Sequence, residues 1–397
     1  MTPTDRLDLP TYRVDLIVGA RPNFVKIAPI VRALKARGTF APRLIHTGQH
    51  YDFLMDRVFF EELRIPAPDV NLKIGSGAAS EQVAKMMLAL HPLFVSDRPH
   101  LLIVVGDVNS TVAAAFVASS LRIPIAHVEA GLRSFDREMP EELNRLVVDQ
   151  LSDLHFVTER EAETNLLAER VARERIKFVG NVMIDTAYDA LDRAIPAGAT
   201  LATAGATPAF RARAASGFGF ATLHRPSNVD DPVKLRALVD ALVKVSDTLP
   251  LVFAVHPRTR ANLEKAGLAD RLNAPGLLVC EPLPYLASLG LMREAKVVIT
   301  DSGGMQEETT ALGVPCITVR DNTERPITVT EGTNTLIGAD PARIGPVVAD
   351  ILATGGKRGR KPTLWDGKAA ERIAAEAEAF LGMRYSPHNS AISVSKS

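Results

Sequence analysis

Short apolar runs alternate with amphipathic stretches along nearly the whole chain. Runs at residues 12–20 (YRVDLIVGA), 42–49 (PRLIHTGQ), 100–107 (HLLIVVGD), 123–130 (IPIAHVEA), 154–160 (LHFVTER) and 177–181 (KFVGN) read as strands. Between them, apolar residues recur at helical spacing, as in NFVKIAPIVRALKARG, STVAAAFVASSL and EELNRLVVDQLS. A second series follows at residues 219–228, 249–260, 276–284, 295–304 and 314–321. Strands that are apolar throughout, each followed by a helix, predict parallel sheets covered on both faces. The Ala/Gly/Pro-rich passage AIPAGATLATAGATP between the two series reads as a linker. The prediction is an α/β protein with two doubly wound halves, at residues 13–195 and 196–366. A closing helix is expected at 367–383, with disorder at 1–12 and 384–397.

That architecture says where to look, because open parallel sheets bind ligands outside the carboxyl ends of their strands. VVITDSGGMQEET (297–309) reads as a buried strand, a tight glycine pair and a helix. Ser302, Gly303 and Gly304 then present backbone N–H groups at a helix N-terminus, a setting that attracts phosphate. Glu307 and Glu308 are expected in the first turn, one as a dipole partner and the other open to ribose hydroxyls. In the first half, VGARPNFVK places Arg21 and Lys26 near a helix start, where a bound anion would offset their conflict with the dipole. Arg258 and Arg260 in HPRTR, and Arg325 in RDNTERP, are further cations of this kind.

The segment at residues 126–145 (AHVEAGLRSFDREMPEELNR) is dense in carboxylates. Glu129 falls at a strand end, where a buried charge needs a partner. Glu141 and Glu142 open a helix after Pro140, and Asp136, Arg137 and Glu138 read as loop surface. Asp107 follows another apolar run and serves equally as a turn residue, with Asn109 or Ser110 as a helix cap. Together Asp107, Glu129 and Glu141 are candidates to converge beside Arg145 and His127 as paired acid and base. His224, in TLHRPSN, is either a general acid or phosphate donor, or a capped loop histidine.

Composition narrows the field. Lys plus Arg (46) equals Asp plus Glu (46), so no global field gathers nucleic acid or anionic lipid. Cys280 and Cys316 both lie in or beside apolar runs and read as buried thiols. The nine histidines show no metal-ligand spacing. Gly217 and Gly219 precede a strand instead of opening a helix, so GFGFAT is no dinucleotide fingerprint, and no P-loop occurs. No cofactor is expected. Without a signal-type start or a long apolar run, the expectation is a soluble cytoplasmic protein.

GARPNFVKIAPI, TGQHYD, GDVNST, HVEAGLRS, MPEELNR, GNVMID, HRPSN, TDSGGMQEE, LGVPCITVRDNTERP and EGTN occur in this order. From about residue 13 to 380 the chain resembles the non-hydrolysing UDP-N-acetylglucosamine 2-epimerases. The resemblance implies a GT-B-type fold, two Rossmann-like domains with a cleft between them. It implies reversible exchange of UDP-GlcNAc and UDP-ManNAc through UDP elimination, a 2-acetamidoglucal and re-addition, feeding surface polysaccharide synthesis. By the same resemblance Asp107, Glu129, Glu141 and His224 form the catalytic set. Arg21, Lys26, Arg145, Ser302, Gly303, Gly304, Glu308 and Arg325 form the UDP-sugar set. A homodimer is implied as well. A hydrolysing epimerase releasing ManNAc and a GT-B glycosyltransferase are the alternatives. The chain departs from the family pattern at Ala20 and Asn23, at Pro226 and Ser227, at Ser288, and at residues 51–52 after Gln49 and His50. The last departure weakens the case for activation by a second UDP-GlcNAc.

Overall fold

The computed structural model describes residues 11–19, 21–48, 61–338 and 340–386. The stretches expected to be disordered fall largely outside these residues. The chain divides into two compact units, Met1–Thr186 with Thr363–Ser397, and Ala187–Pro362. The first crossing therefore comes ahead of the boundary expected near residue 195, and the closing helix belongs with the first unit.

Unit 1 is built on seven strands: β1 (Tyr12–Val18), β2 (Phe40–His46), β3 (Val70–Asn71), β4 (Leu101–Val105), β5 (Ile125–Val128), β6 (Leu154–Val157) and β7 (Ile176–Phe178). They form one sheet in the order β3-β2-β1-β4-β5-β6-β7, with every pair parallel. β4, β5 and β6 are buried along their whole length. This is what near-continuous Leu, Ile and Val demand of a sheet sandwiched between helices. The helix Asn109–Ser120 packs between Ala79–Ser96 and Pro140–Leu151. Its cap position is Val108, so neither Asn109 nor Ser110 caps it. Thr111 Oγ1 instead donates back to the Val105 carbonyl at 3.0 Å, closing the turn from inside.

The returning helix Ala369–Arg384 is fastened at its start. Asp185 accepts from the N–H groups of Ala369 (3.0 Å) and Ala370 (2.7 Å), satisfying donors that a helix N-terminus leaves open. Just before it, Trp365 is fully buried and donates through Nε1 to the Thr158 carbonyl at 3.2 Å.

Unit 2 repeats the plan with β8 (Gly219–Thr222), β9 (Leu251–Ala254), β10 (Leu277–Cys280), β11 (Val297–Thr300), β12 (Cys316–Thr318) and β13 (Asn334–Leu336). The order is β10-β9-β8-β11-β12-β13, again all parallel. Its core joins Leu238, Leu242, Phe253, Ile299 and Ile317 across sheet and helices. The passage read as a linker is helical here, at Ala197–Thr203 and Pro208–Ala214. Alanine is the best helix former, and Pro208 stands at a helix start where proline is favoured, so local propensity explains the correction. In both sheets strand order reverses beside the first strand, between β1 and β4 and between β8 and β11. Such switch points open a crevice at the strand ends.

Candidate active site

In unit 1 the charges gather where β4 and β5 end. Gly106 follows β4 at φ +68, a backbone state that glycine adopts freely. A Cβ there would lie 3.2 Å from Lys26 Nζ and 3.7 Å from Glu129 Oε2, so the bare glycine makes room for that pair. Lys26 Nζ meets Glu129 Oε2 at 2.5 Å, with only 7% and 2% of the two residues exposed. The countercharge of Lys26 in this structure is thus a carboxylate of unit 1. Glu129 itself stands at φ 68. For a side-chain-bearing residue that conformation costs about 1–2 kcal/mol, the kind of strain that collects at working sites.

Asp107 is held from two sides. Its carboxylate meets Arg145 Nη1 at 2.5 Å, and its carbonyl accepts from Asn144 Nδ2 at 2.7 Å. Arg145 is only 1% exposed and also reaches Glu142 through Nη2 at 2.8 Å, bridging the two carboxylates. Glu142 accepts further from the N–H (2.9 Å) and hydroxyl (3.0 Å) of Ser134 and from Phe135 N–H (3.1 Å). Burial acts to raise this carboxyl, but those hydrogen bonds and the Arg145 charge outweigh it and hold it low. Glu141 precedes it by one position, is half-buried and pairs with no described residue. Arg137 and Glu138 are exposed and Asp136 half-buried, as expected of loop surface.

Beneath this layer His127 is fully buried, with Nδ1 2.6 Å from Asp149 Oδ1 and Nε2 2.9 Å from the Gly106 carbonyl. Asp149 Oδ2 accepts from Gly131 N–H at 3.0 Å and Arg133 Nη2 at 2.7 Å. Burial would raise Asp149, yet His127 and Arg133 hold it below the usual carboxylate range.

In unit 2 the helix Gly303–Leu312 starts immediately after Ser302, whose side chain makes no capping bond. Ser302 N–H is occupied by Thr300 Oγ1 at 3.0 Å, which leaves the glycine N–H groups to open the helix. A Cβ on Gly303 would meet nothing within 4 Å, so the approach to those donors is open. Asp301 is spent below the loop. It accepts from the N–H groups of His224 (3.0 Å) and Arg225 (2.9 Å), from Asn228 Nδ2 (3.0 Å), and lies 2.9 Å from His224 Nδ1. Burial would raise its carboxyl, but His224 and these donors hold it low. His224 therefore sits beside the glycine loop, while the three proposed carboxylates belong to unit 1.

Glu307 and Glu308 lie in the second turn, since the helix begins only at Gly303. This corrects the first-turn expectation, and a dipole role goes with it. Glu307 pairs with Arg325 Nε at 2.7 Å. Glu308 accepts from Tyr285 Oη at 2.8 Å. Burial pushes the Glu308 carboxyl up to about 7, against that hydrogen bond and with the Glu307 charge adding to the rise. Next to them Glu324 bridges Arg320 (2.7 Å) and Arg225 (3.3 Å). Arg225, Arg320, Glu324 and Asp301 escaped the sequence reading, although all four lie inside quoted motifs. Arg258 is exposed and Arg260 half-buried, and they pair with Asp230 and Glu281, which favours ion pairs near the surface there. The side chain of Arg21, the residue Ala20 and residues 49–52 lie outside the described residues.

The family model described as UDP-N-acetylglucosamine 2-epimerase matches residues 32–378. The chain belongs to this family. A UDP-N-acetylglucosamine 2-epimerase of Methanocaldococcus jannaschii is 39% identical over 369 residues, covering 91% of this chain and 97% of the relative. A UDP-2,3-diacetamido-2,3-dideoxy-D-glucuronate 2-epimerase of Pseudomonas aeruginosa is 38% identical over 90% of this chain and 97% of its own. The crystal structure of the M. jannaschii enzyme in complex with UDP-GlcNAc and UDP superposes with a TM-score of 0.80 at 39% identity, covering 92% and 99% of the two chains. The expected GT-B-like pairing of parallel α/β domains is the architecture of this 2-epimerase family. Among the described residues no helix is long and apolar enough to cross a membrane.

Proposed function

We propose that this 2-epimerase interconverts UDP-GlcNAc and UDP-ManNAc without net hydrolysis, supplying surface polysaccharide precursors. The observation that carries the reading is the set of three carboxylates in unit 1 with three different surroundings. Glu129 is paired with buried Lys26, Asp107 with Arg145, and Glu141 with no described residue. Groups so differently held suit opposite halves of an acid–base cycle.

The C2 proton of the sugar is not flanked by a carbonyl, so its removal is coupled to departure of a leaving group. A carboxylate takes the C2 proton, the electron pair forms the C1–C2 double bond, and the C1–oxygen bond breaks to release UDP. The products are 2-acetamidoglucal and UDP. In return, a UDP phosphate oxygen bonds to C1 and an acid delivers a proton to the opposite face of C2. Asp107, Glu129 and Glu141 are assigned to these proton transfers. On this reading the opening N–H groups of the Gly303–Leu312 helix, with Ser302 and Arg325, hold UDP. Glu308 accepts from ribose, and His224 serves the phosphate. Arg21, Lys26 and Arg145 complete the substrate-binding set, Lys26 and Arg145 through the carboxylates they hold.

A second substrate has support from the P. aeruginosa relative, whose identity to this chain nearly equals that of the archaeal enzyme. Parallel chromatographic assays of UDP-GlcNAc and of UDP-2,3-diacetamido-2,3-dideoxyglucuronate separate the readings. UDP-ManNAc from the first supports the proposal. Turnover of the second alone replaces its substrate, and free ManNAc with UDP makes the enzyme a hydrolysing epimerase.

We further propose a homodimer through unit 1. Leu88 and Val95 on Ala79–Ser96, Phe116 on Asn109–Ser120, and Leu143 and Val147 on Pro140–Leu151 are all exposed on three adjoining helices. Covering these apolar side chains with a second copy would remove them from water. Sedimentation should give a dimer that Phe116→Glu converts to monomer; a monomeric wild type refutes this assembly.

A further inference from the structure

We propose that His127 is a positioning residue for this reaction, holding Asp107 in register through the Gly106 carbonyl. The proposal rests on Asp107 being a catalytic group. His127 lies on β5, two residues before Glu129, and its ring reaches the turn that follows β4. A carbonyl oxygen only accepts, so the 2.9 Å contact to Gly106 requires a proton on Nε2. On the other side of the ring, Nδ1 lies 2.6 Å from Asp149 Oδ1. Asp149 is anchored in turn by Arg133 and Gly131 N–H, so the imidazole cannot swing without breaking a buried charged network. Arg133 is also tied to Glu169 at 2.6 Å.

The consequence falls on one peptide unit. Gly106 is left-handed, its N–H donates to the Val128 carbonyl at 3.0 Å, and its own carbonyl is held by His127. Asp107 follows directly, with its carbonyl on Asn144 and its carboxylate on Arg145. Without the His127 contact, the peptide between Gly106 and Asp107 regains rotation that glycine does nothing to resist. Misplacing a reacting group by about 1 Å costs on the order of 100-fold in rate.

Two substitutions separate positioning from simple core support. His127→Gln retains a donor near the Nε2 position and can still hold the Gly106 carbonyl. His127→Asn retains a donor near Nδ1 for Asp149 but leaves the carbonyl free. The expected result is a fall in kcat of about 30-fold or more for His127→Asn with KM within about threefold, and kcat within about fivefold of wild type for His127→Gln. Equal losses in both variants, or a wild-type kcat in His127→Asn beside an inactive Asp107→Asn, overturn the proposal. Full activity in Asp107→Asn removes the reading on which it rests. Should either histidine variant fail to fold, nitrogen NMR of the histidine-labelled wild type decides. A protonated Nε2 at neutral pH supports the proposal, and an unprotonated one overturns it because it cannot hold a carbonyl.

Discussion

The turns after β4 and β11 occupy the same place in their sheets, each beside the first strand at the point where strand order reverses. Each carries an aspartate, and the two are used in opposite ways. Asp301 is fully buried and spends its oxygens on backbone N–H groups, an amide and a histidine, so it shapes the loop that presents Gly303 and Gly304. Asp107 keeps 23% of its side chain accessible and has a single guanidinium partner. Its position is fixed through backbone contacts to Asn144 and, through Gly106, to His127. A carboxylate surrounded by donors becomes scaffold, whereas one whose backbone is held instead remains available for chemistry. Under the proposed function, the equivalent switch point serves proton transfer in one unit and anion binding in the other.

The sharpest way to break this comparison is Asp107→Asn. We expect turnover to fall by about 1,000-fold or more while UDP affinity by calorimetry stays within about threefold, since a positioned acid or base contributes roughly 100- to 10,000-fold. Retained activity ends the distinction. Next, Ser302→Trp fills the approach to the glycine N–H groups and should weaken UDP binding by about 100-fold or more; unchanged affinity refutes the phosphate role. A gentler effect follows from Glu308. Its carboxyl is raised to about 7, so it is protonated below that pH and ionised above. A ribose hydroxyl donates better to the ionised form. UDP affinity should weaken as pH falls from 8 to 6, and Glu308→Gln should flatten the profile; an unaltered slope in that variant assigns the pH dependence elsewhere. Smallest, Gly106→Ala forces a left-handed backbone onto a residue whose Cβ would crowd Lys26. Denaturant unfolding should show a loss of about 1–2 kcal/mol, and no loss means the turn relaxes freely.

Much of this was legible in the sequence because it is local. Short runs rich in β-branched residues such as LLIVV and VVIT, bounded by turn residues, read as buried strands, and a parallel sheet then fixes which polar residues stand at the strand ends. Asp107, Glu129 and the glycine pair were found that way. What sequence withheld was partnership across long separations. Lys26 and Glu129 are 103 positions apart, so a lysine at a helix start read as an anion ligand when its neighbour in space is a glutamate. Glu142 looked like an ordinary dipole partner beside Glu141, yet it is the one that fastens Arg145 and the Ser134 loop. Asp149 carried no signal at all, sitting in the last turn of its helix, although it anchors His127. The Ala/Gly/Pro passage misled for another reason: its composition fits a linker, and alanine propensity with a favourably placed proline made helices of it.

The central claim, epimerisation at C2 by elimination and re-addition of UDP, is tested most directly by proton NMR of UDP-GlcNAc incubated with the protein in D₂O. The account predicts UDP-ManNAc, with deuterium entering C2 of both nucleotide sugars and no accumulation of free sugar. Interconversion with the C2 proton retained, or release of ManNAc and UDP as the only products, would contradict it.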